Sequence, residues 1–186
     1  MRHNGLMSRT WLSIKVDLVG GRGEEYWPRP GRIFAAARSH TFGELADAIN
    51  VALGRWDFSH LSEFILADGT RISQADPWFD PPEDTVEIRT AKLSRLTLNE
   101  QFAYTFDFGD DWQHLCTVAP ERIDPAETYG VVPDRPVPFW GWGALPDQYG
   151  RLWAEDDGES PEPPNPGGRD LPPILPDWQW RRERNP

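Results

Sequence analysis

The sequence predicts an α+β domain in which one main helix packs on a mixed or antiparallel sheet. Several segments alternate apolar and polar residues with the period of a β-strand, whereas one segment repeats apolar residues with the period of a helix. The segments follow one another in the order strand, strand, helix and then further strands. This order is typical of α+β domains, and it favours a β-grasp-like arrangement.

Trp11–Val19 is the first predicted strand, because apolar residues occupy every second position from Leu12 to Leu18. The stretch that follows is rich in glycine and proline, which predicts a loop. Arg32–Arg38 is expected to return as a second strand, antiparallel to the first.

The main helix is expected to begin after Thr41. The Thr41 side chain can accept a hydrogen bond from a free backbone N–H, while Glu44 can reach back to the N–H of Thr41. Gly54 fits the position just beyond the end of the helix. The apolar stripe expected to face the sheet consists of Phe42, Leu45, Ala46, Ile49, Ala52 and Leu53.

Further strands are predicted after the helix. His60–Ala67 is expected to form a strand that turns at Asp68-Gly69 and returns over Thr70–Ser73. Asp76–Asp84 predicts a loop, because its prolines do not fit the interior of a sheet. Val86–Ala91 is the next predicted strand.

The clearest alternation predicts a hairpin. We expect a three-residue loop at Gly109–Asp111, because a shift of one residue would move one apolar set to the opposite face. The residues expected to share a face are Phe102, Tyr104, Phe106 and Phe108 on the first strand, with Trp112, His114, Cys116 and Val118 on the second.

Beyond Val118 no regular pattern is evident. Val131–Asp147 is rich in proline and aromatic residues and is expected to lie across the sheet as an irregular extension. The sequence therefore predicts a disordered lead at 1–10 and an α+β domain at 11–153. An acidic tail at 154–186, rich in proline and glycine, is expected to be mostly mobile.

Composition excludes several classes of protein. The chain has 19 basic and 30 acidic residues and a net charge of −11, so it repels phosphate, and nucleic-acid binding is disfavoured. No apolar run reaches the roughly 18 residues of a membrane helix. A single cysteine, Cys116, excludes a disulfide scaffold and fits the reducing cytoplasm.

One candidate functional cluster surrounds the hairpin loop. Carboxylates at a tight turn beside an imidazole can bind a divalent cation or transfer protons, but they can equally hold the turn by hydrogen bonds. No spacing matches a strong metal motif, so no cofactor is predicted, the metal question stays open, and we favour the structural role. The candidates are His60, Asp107, Asp110, Asp111, Trp112 and His114.

A second candidate set lies in the aromatic C-terminal part of the domain. Ten tryptophans are several times the usual content, and aromatic groups with polar neighbours either pack on a sheet or bind a protein partner. The candidate partner-binding residues are Trp140, Trp142, Tyr149, Arg151 and Trp153.

Three segments carry a resemblance to a known family. Phe102–Glu121 (FAYTFDFGDDWQHLCTVAPE) resembles the signature of the plasmid pRiA4b ORF-3-like family. Arg55–Leu66 (RWDFSHLSEFIL) is similar to a second stretch of that family, and Gly141–Trp153 to the ending of some members. The resemblance implies an α+β domain found on plasmids, in mobile elements and in prokaryotic chromosomes, and it implies no particular activity.

Together these observations predict a cytoplasmic accessory or interaction module of plasmid or mobile-element type that binds a protein partner. The alternative is a metal-dependent hydrolase or nuclease-like enzyme that uses the Asp/His hairpin cluster. A third hypothesis is a nucleic-acid-binding accessory protein. We favour the non-enzymatic module, because the sequence has neither a nucleophile–base pair nor a strong metal motif, its net charge is acidic, and its C-terminal part is rich in aromatic residues.

Overall fold

The computed structural model describes residues 10–75, 82–152, 156–159 and 161, and a sheet lies at its centre. Within these residues the strands are β1 (Trp11–Gly21), β2 (Glu24–Glu25), β3 (Gly31–Ala37), β4 (Ser62–Ile65), β5 (Arg71–Ser73), β6 (Val86–Glu87), β7 (Gln101–Phe106), β8 (Trp112–Ile123) and β9 (Val137–Trp142). The helices are α1 (Phe42–Ala52), a 3₁₀ turn (Leu93–Arg95) and α2 (Pro125–Tyr129).

The strands form one mixed sheet in the order β6-β5-β4-β7-β8-β1-β3-β9, with β2 beside the end of β1. Neighbouring strands are antiparallel, except that β5 and β6 are parallel. A mixed sheet with one main helix confirms the coarse fold prediction. The β-grasp-like arrangement is not established by this strand order.

The core lies between α1 and one face of the sheet. Leu12, Ile14 and Val16 of β1 are fully buried, because the strand period directs them all toward the helix. The apolar stripe predicted for α1 is buried as expected, including Leu45 and Ile49. Burying a side chain of this size stabilises the fold by about 1.5–3 kcal/mol.

The predicted capping of α1 is confirmed. Thr41 Oγ1 accepts a hydrogen bond from Glu44 N at 3.1 Å, and Glu44 Oε2 accepts one from Thr41 N at 2.7 Å. Gly54 follows the helix with φ +78°, a backbone conformation that favours glycine. The helix therefore ends at a fixed point, which positions the residues after Gly54.

The β7–β8 hairpin keeps the predicted face but not the predicted loop. Phe106 pairs with Trp112 and Tyr104 with His114, so the two apolar sets share one face. The loop runs over five residues, 107–111, because Asp107 and Asp111 leave the strands with φ +57° and +52°. A loop of five residues and a loop of three both leave the apolar side chains of the two strands on the same face, because each contains an odd number of residues. Phe108, expected in the core, is therefore exposed.

Two more expectations were wrong. Val86–Ala91 forms a strand only over Val86–Glu87 and then turns. Regular structure continues past Val118, since β8 extends to Ile123 and Val131–Asp147 contains β9, an edge strand on β3. Pro138 is tolerated there because it lies at a register shift on an edge strand.

Several predictions lie outside the described residues. They include most of the lead at 1–10, most of the tail at 154–186, and part of the loop at Asp76–Asp84. The domain limits therefore stay a prediction. None of the helices in the described part of the chain is long and apolar enough to cross a membrane.

Candidate functional site

One end of the sheet is built from parts that are distant in sequence. Ser62 of β4 pairs with Phe106, which pairs in turn with Trp112, and Gly31 pairs with Trp142 at the same end. After Trp142 the chain passes back across this end toward α1 and β4. We call residues 143–152 the returning segment.

Gln148 fixes the returning segment to the chain that follows α1. Its Oε1 accepts hydrogen bonds from the backbone N–H groups of Trp56 and Asp57 at 2.8 and 2.9 Å. Its Nε2 donates to the carbonyl oxygen of Asp57 at 2.9 Å. The Gln148 side chain is fully buried, so these bonds satisfy backbone groups that would otherwise lack partners.

Asp57, His60, Asp107 and Tyr149 form what we call the polar cluster. The Tyr149 hydroxyl donates to Asp57 Oδ2 at 2.6 Å and lies 3.0 Å from His60 Nε2. His60 Nδ1 lies 3.5 Å from Asp107 Oδ2. The Tyr149 hydroxyl donates its hydrogen bond to Asp57, so the same oxygen accepts a hydrogen bond from His60 Nε2–H. His60 Nδ1 then faces the Asp107 carboxylate. The polar cluster therefore joins the chain after α1, the hairpin loop and the returning segment through side-chain contacts.

Hydrogen bonds fix the charge states of two members of the cluster. The hydroxyl of Ser59 and then that of Tyr149 hold the pKa of Asp57 well below its usual range. Burial, together with the Asp57 carboxylate, raises the pKa of Tyr149. Asp57 is therefore a permanent acceptor and Tyr149 a permanent donor at neutral pH.

Contacts among Arg151, Asp147 and Trp56 lie next to the polar cluster. Arg151 donates from Nη2 to Asp147 Oδ2 at 2.8 Å, and its guanidinium lies 4.1 Å from the ring centre of Trp56. The Trp56 ring meets Tyr149 edge-on at 5.0 Å. Burial would raise the pKa of Asp147, but hydrogen bonds from Arg151 and Tyr149 lower it below its ordinary value.

Only some of the residues that the sequence predicts as one cluster around the hairpin loop lie together in the structure. His60 and Asp107 come together, and Asp107 Oδ1 accepts from the backbone N–H of Gly109 at 3.0 Å, as expected for a residue that holds the turn. The backbone oxygen of Asp110 accepts from Arg22 N. Asp111 is exposed and accepts from Gln113 Nε2 at 2.5 Å.

The remaining two members of that cluster lie in the core. Trp112 is fully buried, and His114 is almost fully buried. His114 Nδ1 donates to the Tyr104 carbonyl oxygen at 3.1 Å. Burial, with a contribution from the positive charge of Arg55, lowers the pKa of His114 to about 3. His114 is therefore a neutral core residue at physiological pH.

The predicted partner-binding residues also do not form one group among the residues that the structure describes. Tyr149 and Arg151 belong to the site described above. Trp140 is half-exposed on the edge strand β9, whereas Trp142 is partly buried and donates from Nε1 to the Arg29 carbonyl oxygen at 2.9 Å. Trp153 lies outside the described residues.

Sequence reasoning missed the residues that complete the site, namely Trp56, Asp57 and Gln148. Their signal is the concentration of aromatic and charged residues in two stretches without strand or helix period. Within the described ranges no group of three or more His, Cys, Asp or Glu side chains is placed to hold a metal ion.

Comparison with known proteins shows a matching family and similar proteins. The family model described as plasmid pRiA4b ORF-3-like protein matches residues 12–141. The chain is 33% identical over 82 residues to the uncharacterized protein y4hQ of Sinorhizobium fredii, an alignment that covers 44% of this chain and 41% of that protein. The chain thus spans about two fifths of the length of this curated relative.

A solved structure is also similar. The crystal structure of a protein of unknown function, MM3350 from Methanosarcina mazei Go1, has 26% sequence identity and a TM-score of 0.57. The match covers 76% of this chain and 74% of that one.

Proposed function

We propose, from the premise that this chain belongs to the plasmid pRiA4b ORF-3-like protein family, that it is a binding module for a protein partner. The relatives named above are described as uncharacterized or of unknown function, so the proposal depends on the site. The observation that carries it is the exposure of large apolar side chains beside the rigid polar cluster. The family name supports a plasmid or mobile-element setting, and we place the protein in the prokaryotic cytoplasm.

Exposed apolar side chains adjoin every segment of the polar cluster. Phe58 lies between Asp57 and Ser59 and is 52% exposed, and Phe108 follows Asp107 with the same exposure. Leu152 on the returning segment is 53% exposed. Rigid aromatic groups beside oriented polar groups are typical of the residues that dominate protein–protein binding energy.

The polar part of this surface is already ordered. Gln148 and Tyr149 hold the returning segment against the chain after α1, and Asp57 keeps one charge state through its hydrogen bonds. A partner would therefore lose little affinity to ordering of the backbone. A surface whose polar groups are already held in place can bind a folded or an extended segment of a partner protein.

The alternatives have less support. A metal-dependent hydrolase based on the hairpin cluster needs Asp111 and His114 beside Asp107, but the former is bonded to Gln113 and the latter is buried. A nucleic-acid-binding role has to overcome the net charge of −11. For the fold, the β-grasp-like arrangement remains a proposal about the strand topology.

The test compares three forms of the full-length chain in affinity capture from native lysate. The wild type is set beside the double variant Phe58→Ser/Phe108→Ser and the control Val132→Ser. Val132 is also exposed but lies before β9, toward the opposite end of the sheet. We expect the wild type and the control to retain the same protein, and the double variant to lose it.

A DNA-shift assay at about physiological salt is run on the same preparations. Recovery of DNA without a protein partner would replace our proposal with the nucleic-acid hypothesis. Equal capture by the double variant would show that this end of the sheet is not the binding surface.

A further inference from the structure

Beneath the returning segment lies a buried arginine with no hydrogen-bond partner. Arg55 follows α1 and is 3% exposed. In the described part of the chain, neither Nε nor the two Nη atoms of its guanidinium has a hydrogen-bond partner. The guanidinium lies 3.6 Å above the ring centre of Trp112. Stacking of this kind uses the face of the guanidinium and leaves the N–H groups at its edge unbonded.

Arg55 keeps its positive charge in this position. Burial lowers the pKa of the guanidinium to about 10, which still leaves it protonated at neutral pH. A buried charge is normally paired, because removing it from water without a partner is strongly unfavourable. The contact with Trp112 offsets part of this penalty but provides no acceptor. The unpaired N–H groups therefore require an explanation.

Two neighbouring side chains also have unpaired buried atoms. Trp112 Nε1 and His114 Nε2 lack hydrogen-bond partners among the residues that the structure describes. His114 Nδ1 donates to the Tyr104 carbonyl, so Nε2 is an acceptor in the neutral ring. Arg55 and Trp112 supply only donors, which favours a ligand rich in acceptors.

Nearby carboxylates do not neutralise Arg55. Asp110 and Asp147 lie close enough to influence its pKa, yet in the described structure neither forms an ion pair with it. Asp147 is already bonded to Arg151 through both carboxylate oxygens. The positive charge is thus available to an anion from outside the chain.

We propose that Arg55 anchors a binding site for a small oxyanion, of the phosphate or carboxylate class. The edge of a guanidinium presents parallel N–H groups that match two oxygens of either anion. The fixed stack on Trp112 orients that edge before the ligand arrives. This site goes beyond the proposed partner binding and does not depend on it.

The returning segment lies over the part of the chain that contains Arg55. Leu145 lies against Gly54, and Gln148 is bonded to Trp56, so the segment covers the residues on both sides of Arg55. Gly143 and Gly150 in this segment have φ of +78° and +77°. An anion bound at the guanidinium edge would supply the hydrogen-bond acceptors that Arg55 lacks.

The test measures thermal unfolding of the full-length chain in phosphate, acetate and chloride at equal ionic strength and neutral pH. We expect the Tm of the wild type to rise in phosphate or acetate relative to chloride. Above the dissociation constant the rise should be about 3–5 °C for each tenfold increase in anion. The anion that produces the rise identifies the ligand class.

Three variants test whether the anion-dependent rise in Tm depends on Arg55. Arg55→Met keeps the length of the side chain without its charge and should lose the anion-dependent rise, while Arg55→Lys, which lacks the fork, should reduce it. Arg71→Met removes an exposed arginine paired with Glu63 and should retain the full rise. An equal rise in Arg55→Met would overturn the proposal.

A second measurement covers the case in which Arg55→Met does not fold. Calorimetric titration of the folded wild type with phosphate, and separately with acetate, should show binding of one anion per chain. Absence of saturable binding with both anions would overturn the proposal, and buried water would then be the explanation for the unpaired groups. Loss of partner capture in the lysate experiment would not affect this result.

Discussion

At the scale of single residues, burial and hydrogen bonding hold four side chains at this end of the sheet in one charge state each at neutral pH. Asp57 stays ionised because hydroxyl and backbone donors surround it, and Tyr149 stays protonated because it donates to that carboxylate. Arg55 is charged, whereas His114 is neutral through burial and the nearby charge of Arg55. Such different states within a small region are produced by burial and hydrogen bonding, which act on each group separately.

His114 should make the protein less stable as the pH falls. Its folded pKa of about 3 lies below the ordinary value of 6.5, so between these values the unfolded chain binds a proton that the folded chain does not. The contribution of His114 is fully present above pH 6.5 and is lost progressively toward pH 3. At about pH 5.5 the loss should be about 1.4 kcal/mol.

Urea unfolding of the wild type and His114→Asn near neutral pH and at about pH 5.5 measures this effect. The Asn variant should be less sensitive to pH, because it has no imidazole to protonate. Gln113→Asn, at the exposed neighbouring position, serves as the control and should keep the pH dependence of the wild type. Equal pH dependence in all three proteins would show that His114 does not remain neutral on folding.

At the scale of elements, the β7–β8 hairpin is organised by its loop. Asp107 turns the chain with φ +57°, and its Oδ1 accepts hydrogen bonds from Gly109 N and Asp110 N at 3.0 and 3.4 Å. Its Oδ2 faces His60. One carboxylate therefore both closes the hairpin and joins the polar cluster, so the shape of the loop and the geometry of the cluster are connected.

Asp107→Ala should lower the free energy of unfolding by about 1–3 kcal/mol, because the loop N–H groups lose their buried acceptor. Asp111→Ala is the matched control in the same loop. It should cost less, since the Asp111 side chain is exposed and bonds only to Gln113 among the described residues. Chemical denaturation of both variants measures the difference.

The same preparations separate the structural role from metal binding. We expect EDTA to leave the Tm of the wild type unchanged. A rise in Tm with one particular cation, abolished by Asp107→Ala, would contradict the structural role, because a ligand that binds only the folded state stabilises it. It would also favour the metal-dependent enzyme over the binding module.

At the scale of the whole molecule, the sheet has two different faces. α1 covers the large core on one face, and a smaller cluster on the other contains Trp11, Ala35 and Ala37 with Ile123, Val137 and Phe139 packed against it. The central strands β1 and β8 pair along most of their length and link the two edges of the sheet. We therefore expect the domain at 11–153 to unfold as one unit.

Limited proteolysis checks the predicted domain limits. The segment Glu155–Asp170 is rich in proline, glycine and acidic residues, a composition that does not favour a packed core. We expect the first cut in this segment and a resistant fragment that begins near Trp11 and ends near Trp153. A first cut within Thr41–Val118, with residues 154–186 intact, would contradict these limits.

The sequence by itself determined the features that depend on neighbouring residues. The period of two residues placed Leu12, Ile14 and Val16 on one face of β1, and the capping pair Thr41 and Glu44 located the start of α1. The alternation in β7 and β8 gave the correct shared face of the hairpin. Each of these signals is local, because strand and helix periods and caps act over a few residues.

Only the tertiary structure decided the candidate site. His60 meets Asp107 because β4 pairs with β7, and Asp57 meets Tyr149 because the returning segment crosses the end of the sheet. Such contacts join residues far apart in the chain and have no periodic pattern. The five-residue loop depends on two aspartates with positive φ, and the edge strand β9 depends on pairing with β3. Long-range pairing and individual backbone angles are set by the whole fold, which is why neither was evident in the order of the residues.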